Sequence, residues 1–185
     1  MKLYIKNMVC PRCIMAVKQL LQNINAEVLY VNLGEVLLQD QLSSKQLEEL
    51  TIGLQKLGFE LLDDVRKQQI DKIKSIVIDH IHYKEDEKFA FSEVLSKALH
   101  KEYSTISRLF SETEGITIEQ YVIQQKIEKV KELLAYNEMN LNEISFKLGY
   151  SSVAHLSAQF KKITGLTPSQ FKAQGIHLRK TLDEV

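Results

Sequence analysis

Leu141 to Phe171 reads LNEISFKLGYSSVAHLSAQFKKITGLTPSQF. A short helix is predicted over Leu141 to Leu148, broken at Gly149-Tyr150-Ser151. A longer helix then runs from Ser152, a natural N-cap, to about Ile163. Helix, short turn with glycine, helix is the helix-turn-helix pattern.

The stretch has a twin. Shifted by fifty residues without gaps, Glu93 meets Glu143, Val94 meets Ile144, Lys97 meets Lys147, Ile106 meets Leu156 and Ser107 meets Ser157. Phe110 then meets Phe160, Gly115 meets Gly165, Thr117 meets Thr167, Gln120 meets Gln170 and Tyr121 meets Phe171. Two copies of one supersecondary unit are the economical explanation. The first copy is read as a helix over Ser92 to Leu99, a turn over His100 to Tyr103 and a helix from Ser104 to about Thr113. Between the copies, Ile118 to Ala135 is a strong helical stretch. At ~1.5 Å per residue it is roughly 27 Å long, and successive major-groove faces lie ~34–36 Å apart. One rigid connector of this length suits two recognition helices in adjacent grooves.

Bulk charge argues for no particular partner: Lys+Arg and Asp+Glu are both 24, so the formal net charge is zero. Locally the picture changes. Between Ile144 and Leu182 stand Lys147, Lys161, Lys162, Lys172, Arg179 and Lys180, with no acid among them. Such a window suits a phosphate-facing surface, and a solvated basic face has the same composition. The first copy is mixed in sign.

This half of the chain, about Phe91 to Ala173, resembles the DNA-binding domain of the AraC/XylS family of bacterial transcription regulators. The resemblance is carried by the Gly-aromatic turn, Phe160-Lys161-Lys162, Gly165, Thr167-Pro168 and Phe171. It implies that exposed residues of both second helices touch bases. Carried over by position, these are Ser104, Thr105, Ser107 and Arg108 in the first copy and Ser152, His155 and Ser157 in the second, with Lys161 on a phosphate. Three positions depart from the family's habit: Lys126 stands where its connecting helix usually has Arg, and Ala154 and Ala158 stand where long polar side chains are common. Of the residues carried over, only Arg108 is suited to a bidentate guanine contact.

The amino-terminal third is built differently. Met1 to Lys6 alternates apolar and polar, as a half-buried strand does. Ile14, Val17, Leu20 and Leu21 recur at helical spacing, predicting a helix from Cys13 to about Asn23. Ala26 to Asp40 holds two β-rich runs around Asn32-Leu33-Gly34, where Gly34 suits the positive φ of a hairpin turn. Ser44, Leu47, Leu50, Leu54 and Leu57 read as a capped helix ended by Gly58, and Phe59 to Asp64 as a short last strand. The order β-α-β-β-α-β is the split βαβ, ferredoxin-like arrangement.

Both cysteines of the chain, Cys10 and Cys13, lie between the first strand and the first helix. Thiolate is the metal-binding form, and a helix N-terminus favours it. Two soft sulfurs suit Cu(I) better than a closed four-ligand zinc site. Inert thiols and a redox pair are the other readings of this spacing. Size, order and the Met8-x-Cys10-x-x-Cys13 loop resemble the heavy-metal-associated domain of copper chaperones and metal-pumping ATPases, and Gly58-Phe59 matches its Gly-aromatic pair. The resemblance implies Cu(I), Zn(II), Cd(II) or Hg(II) held by Cys10 and Cys13. Asn7 replaces the family's usual Gly, and Pro11 stands between the cysteines.

Val65 to Tyr83 has no Gly or Pro and reads as a connecting helix, with His80 and His82 spaced unlike a helical metal pair. The expected organisation is an α+β ferredoxin-like domain at 1–63, a helical linker at 64–84 and an all-α double helix-turn-helix domain at 85–185. Met1 to Met8 is no signal peptide and no run reaches membrane-spanning length, so the expected address is the cytosol. No nucleophile-base-acid grouping or phosphate-cradling glycine loop points to an enzyme. The chain is therefore expected to be a metal-responsive regulator of transcription, sensing Cu(I), with double-stranded DNA, RNA polymerase and a second copy of itself as partners. Its rivals are a redox-responsive regulator using a Cys10–Cys13 disulfide and a metal chaperone with an accessory helical domain.

Overall fold

The structure, a computed structural model, describes residues 1–62, 65–84, 90–137, 139–174, 181–183 and 185. It divides into two compact units, Met1–Ile76 and Val77–Val185.

The first unit runs β1 (Lys2–Lys6), α1 (Pro11–Asn23), β2 (Val28–Asn32), β3 (Glu35–Leu38), α2 (Ser44–Lys56), β4 (Glu60–Leu61) and most of α3 (Val65–Ile78). The strands form one sheet in the order β2-β3-β1-β4, each neighbouring pair antiparallel. Gly34 turns the β2–β3 hairpin with φ +74°, as its position in the sequence suggested. Leu3, Ile5, Val36 and Leu38 share the sheet face that α1 and α2 cover, and Val17, Leu21, Leu50 and Leu54 close the core from the helices.

Three boundaries differ from the sequence reading. α1 starts at Pro11 rather than Cys13, because proline's fixed φ suits the first helical position and its missing N–H costs nothing there. The cap of α2 is Ser43, not Ser44: the Ser43 hydroxyl accepts from the Gln46 N–H, and the Gln46 side chain accepts from the Ser43 N–H. β4 is two residues long, and the expected continuation through Asp63 and Asp64 lies outside the described residues.

The opposite sheet face is tied to α3 by charge. Glu35 bridges Lys2 at 3.0 Å and Lys72 at 3.5 Å and accepts from the Tyr30 hydroxyl. A Cβ on Gly34 would fall 2.5 Å from the Ser75 hydroxyl, so the hairpin tip and α3 approach closely. α3 is followed by a π-helical turn, Asp79–Tyr83. The expected limits at 63, 64 and 85 fall on or beside residues outside the description, and the division between units lies within the helical stretch.

The second unit holds α4 (Phe91–Leu99), α5 (Tyr103–Glu114), α6 (Ile118–Tyr136), α7 (Leu141–Lys147), α8 (Val153–Thr164) and α9 (Pro168–Gln174). The fifty-residue repeat is a repeat of structure. Gly115 and Gly165 end α5 and α8 in the left-handed region, at φ +72° and +78°. The Thr117 and Thr167 hydroxyls each accept from the N–H of a glutamine three residues on, at 3.2 Å in both copies, and each threonine's backbone N–H donates to that glutamine's amide oxygen in return. Phe110 packs on Tyr121 with ring centroids 5.6 Å apart, and Phe160 on Phe171 at 5.5 Å. α5 begins at Tyr103, one residue before the sequence expectation; Glu102 caps it without a side-chain bond, whereas Ser152 caps α8 by accepting from the His155 N–H at 3.1 Å.

α6 is buried on nearly all sides, which explains why no single apolar stripe marks it: Ile118, Tyr121, Val122, Ile127, Val130 and Leu134 are all within the core. Phe160→Ala is expected to cost about 3–5 kcal/mol, as truncation of a fully buried aromatic does. Urea melts followed on second-unit amides would measure it; a loss under about 1 kcal/mol would contradict the packing described.

Candidate functional site

Two constellations carry chemistry. The first is the thiol pair. Cys10 is the N-cap of α1 and Cys13 lies in its first turn, so both sulfurs sit at the positive end of the helix, partly exposed and 3.3 Å apart. The backbone turns there at Asn7, whose φ is +69°. Asparagine tolerates this region better than other non-glycine residues. Its side-chain amide also donates to the Gly58 carbonyl at 3.0 Å, pinning the loop to the end of α2. The resemblance's departure at this position is thereby accounted for. Met8, the other residue of the matching loop, is fully buried in the core and faces away from any ligand role.

The two thiols differ electrostatically. Burial opposes ionisation of Cys10, but the Cys13 thiol, the N–H groups of Cys13 and Arg12 and the Arg12 guanidinium outweigh it, so Cys10 ionises below the ordinary thiol range. Burial pushes Cys13 up, and the neighbouring Cys10 sulfur adds to the rise. Among the described residues no group of three or more His, Cys, Asp or Glu is placed to hold a metal. His82 is buried instead against Gln125, at 3.0 Å, and His80 lies 3.4 Å from the Lys84 ammonium.

The second constellation is the pair of helices α5 and α8. Ser104, Thr105 and Arg108 are exposed on α5, and Ser152, His155 and Lys161 on or at the start of α8; Ser107 and Ser157 are half-buried beside Ile106 and Leu156. Arg108 pairs loosely with Glu112 at 4.0 Å, an exposed contact that leaves the guanidinium accessible. Ser152 is already engaged as a cap. Ala154 and Ala158 are exposed on the same face as His155, so α8 presents a smoother surface than α5. Of the basic window, Lys147, Lys161, Lys162 and Lys172 are exposed; Arg179 and Lys180 lie outside the described residues.

The turn between α7 and α8 is held by residues the sequence reading left without a role. The Gly149 N–H bonds the Phe146 carbonyl at 3.0 Å and the Tyr150 N–H the Ser145 carbonyl at 2.9 Å, a Schellman closure around Gly149 at φ +68°. Lys126, on α6, donates to the Leu148 carbonyl at 2.7 Å and lies 5.4 Å from the centre of the Tyr150 ring. Burial lowers the Lys126 ammonium from its ordinary value and pushes the Tyr150 phenol up to about 12. Tyr150 in turn donates to Gln159 at 2.7 Å and meets the His155 ring edge-on at 5.4 Å.

Comparison with known proteins bears on this second constellation. A helix-turn-helix domain family matches residues 95–174. This stretch of the chain is thus similar to helix-turn-helix domains. The chain is 25% identical over 134 residues to the probable transcriptional regulator LumQ of Photobacterium leiognathi, a match spanning 72% of this chain and 52% of that protein. It is 33% identical over 69 residues to the xylose operon regulatory protein of Escherichia coli K12, spanning 37% of this chain and 18% of the regulator. The chain thus spans about half of the first relative's length and less of the second's. The C-terminal domain of AraT, a response regulator from Geobacillus stearothermophilus, shares the fold at a TM-score of 0.51 and 22% identity, over 61% of this chain and 91% of that domain. These relatives are transcriptional regulators and not enzymes, in keeping with the sequence expectation. Among the described residues no helix is long and apolar enough to cross a membrane.

The unequal thiols give a direct check. Brief iodoacetamide treatment of the reduced chain at neutral pH, read by peptide mass mapping, is expected to modify Cys10 before Cys13. Equal or reversed labelling would contradict the electrostatics described.

Proposed function

We propose that the protein is a metal-responsive transcription regulator: a ferredoxin-like amino-terminal domain holds a soft metal ion on Cys10 and Cys13, and the duplicated helix-turn-helix reads double-stranded DNA. The observation that carries the reading is the pairing, in one chain, of two adjacent thiols at a helix start with two exposed reading helices. The donor set fits Cu(I), which accepts two thiolates, better than Zn(II) or Cd(II), which would draw further ligands from water or a second chain. Hg(II) shares the preference for sulfur. Cys10 and Cys13 would hold such an ion, which would add positive charge at the start of α1. The chain's own contribution is the readier ionisation of Cys10 and the fixed loop at Asn7.

Ser104, Thr105 and Arg108 on α5 and His155 on α8 are the base-facing residues in this reading, Ser107, Ser152 and Ser157 flank them, and Lys161 meets a phosphate. RNA polymerase and a second copy of the chain are the further partners proposed. Regulation requires that metal favour one DNA-binding state; a tenfold change in affinity corresponds to about 1.4 kcal/mol of coupling.

The 3.3 Å separation of the thiols supports a second reading, in which Cys10 and Cys13 oxidise to a disulfide that switches DNA binding. A chaperone with an accessory helical domain would bind no specific DNA. Fluorescence anisotropy of the full, reduced chain on duplexes from its own upstream region distinguishes the three. Affinity is expected to change with Cu(I) in a chelator-reversible way and not in the Cys10→Ala, Cys13→Ala variant. A change reversed by reductant alone selects the disulfide, and binding indifferent to metal and oxidant contradicts both switches.

A further inference from the structure

α6 touches both halves of the reader through side chains two turns apart. Glu119, in its first turn, accepts from the Tyr103 hydroxyl at 2.6 Å, at the start of α5. Lys126 follows seven residues later, hence on nearly the same side of the helix, and reaches the turn before α8. The two contacts have no equivalents under the fifty-residue repeat, because Ser169 and Ile176 stand fifty residues after Glu119 and Lys126.

The Lys126 contact is specific in what it satisfies. The Schellman closure uses the Ser145 and Phe146 carbonyls and leaves the last carbonyls of α7 pointing out of the helix. Lys126 takes the Leu148 carbonyl, placing a cation at the negative end of α7. Its ammonium also lies over the Tyr150 ring, 5.4 Å from the ring centre. From Tyr150 the contacts run on to α8: the hydroxyl to Gln159 and the ring edge to His155, whose Nδ1 lies 3.0 Å from the Ser151 hydroxyl. The chain of contacts therefore joins the middle of the connector to the exposed face of the second reading helix in two steps.

We propose that Lys126 is a positioning residue for DNA recognition: through the Leu148 carbonyl and Tyr150 it sets the orientation of α8 and of His155, and it does not itself meet a phosphate. This rests on the reading of α5 and α8 as DNA-reading helices. The base pairs concerned are those facing α8, whose discrimination would depend on a half-buried side chain of the connector.

The test uses the full chain, a duplex selected by the wild type from a random-sequence pool, and the variants Lys126→Met, Lys126→Arg and Lys161→Ala. Lys126→Met keeps the packing stem and removes the donor. It is expected to reduce discrimination at base pairs facing α8 roughly tenfold, the scale of one well-read base pair, while leaving the slope of affinity against salt unchanged. Lys126→Arg is expected to restore discrimination. Lys161→Ala should behave oppositely, lowering the salt slope by about one with discrimination intact. A second arm needs no DNA: in the free protein, Lys126→Met should shift the ring resonances of Tyr150 and His155 and leave those of Phe110 and Tyr121 in place. The proposal is overturned if Lys126→Met lowers the salt slope by about one, which makes Lys126 a phosphate contact. It is equally overturned if Tyr150 and His155 do not move, or if Phe110 moves as much as they do, which makes Lys126 a general stability residue. Should the wild type select no sequence at all, the DNA reading fails, and the resonance arm still decides whether Lys126 positions α8.

Discussion

The reader domain depends on one helix being buried nearly all round. α5, α8, α9 and the π-helical turn at Asp79–Tyr83 all pack on α6, so α6 is at once the core of the second unit and the spacer between its two halves. Burial on every side brings polar groups inside, and each is met. Gln125 lies between His82 and the Tyr121 hydroxyl, Glu128 pairs with Lys131 within the same helix, and Lys126 finds a carbonyl. An unpaired buried charge there would cost several kcal/mol (about 3–5). The polar register of α6 thus opposes rotation or slippage of the helix against the elements it carries. Rigidity of this kind suits the proposed role of α6, which is to hold α5 and α8 at a fixed separation on DNA.

The repeat explains how so short a domain keeps two readers alike. In each copy a left-handed glycine stops the reading helix, a threonine–glutamine capping box starts the next, and an aromatic pair locks the corner between them. The matching residues are legible in the sequence at their offset of fifty, while the caps and ring contacts that they make are shown by the structure. The copies diverge where they face outward. α5 offers Ser104, Thr105 and Arg108; α8 offers Ala154, His155 and Ala158, with lysines further along. On the proposed DNA-reading function, discrimination by direct hydrogen bonding would be weighted toward α5 and His155, and phosphate attraction toward the second copy.

Elements with a strong period or a local stop signal were readable from the residues: the hairpin at Gly34, the break at Gly149, the cap at Ser152 and the length of the connector. What escaped reading depends on contacts distant in sequence. Nothing adjacent to Lys126 reveals that its partner is the Leu148 carbonyl, twenty-two residues on, and nothing near Asn7 announces Gly58. α1 starts ahead of its apolar periodicity because Pro11 takes the first helical position, which the spacing of Ile14, Val17, Leu20 and Leu21 does not mark. The π-helical turn also left no mark, since the apolar spacing of Ile73, Val77 and Ile81 is equally that of an α-helix. At the thiol pair the residues and their spacing were plain, while the inequality of the two sulfurs came from backbone N–H groups and burial, which spacing does not encode.

The central claim is that one rigid connector presents two reading helices to one face of a duplex. Hydroxyl-radical footprinting of the full chain on its selected duplex tests it most directly. Two protected patches are expected on the same face, about 10 base pairs apart, one fading in Arg108→Ala and the other in His155→Ala. A single patch, or two patches that respond together to both variants, would contradict it.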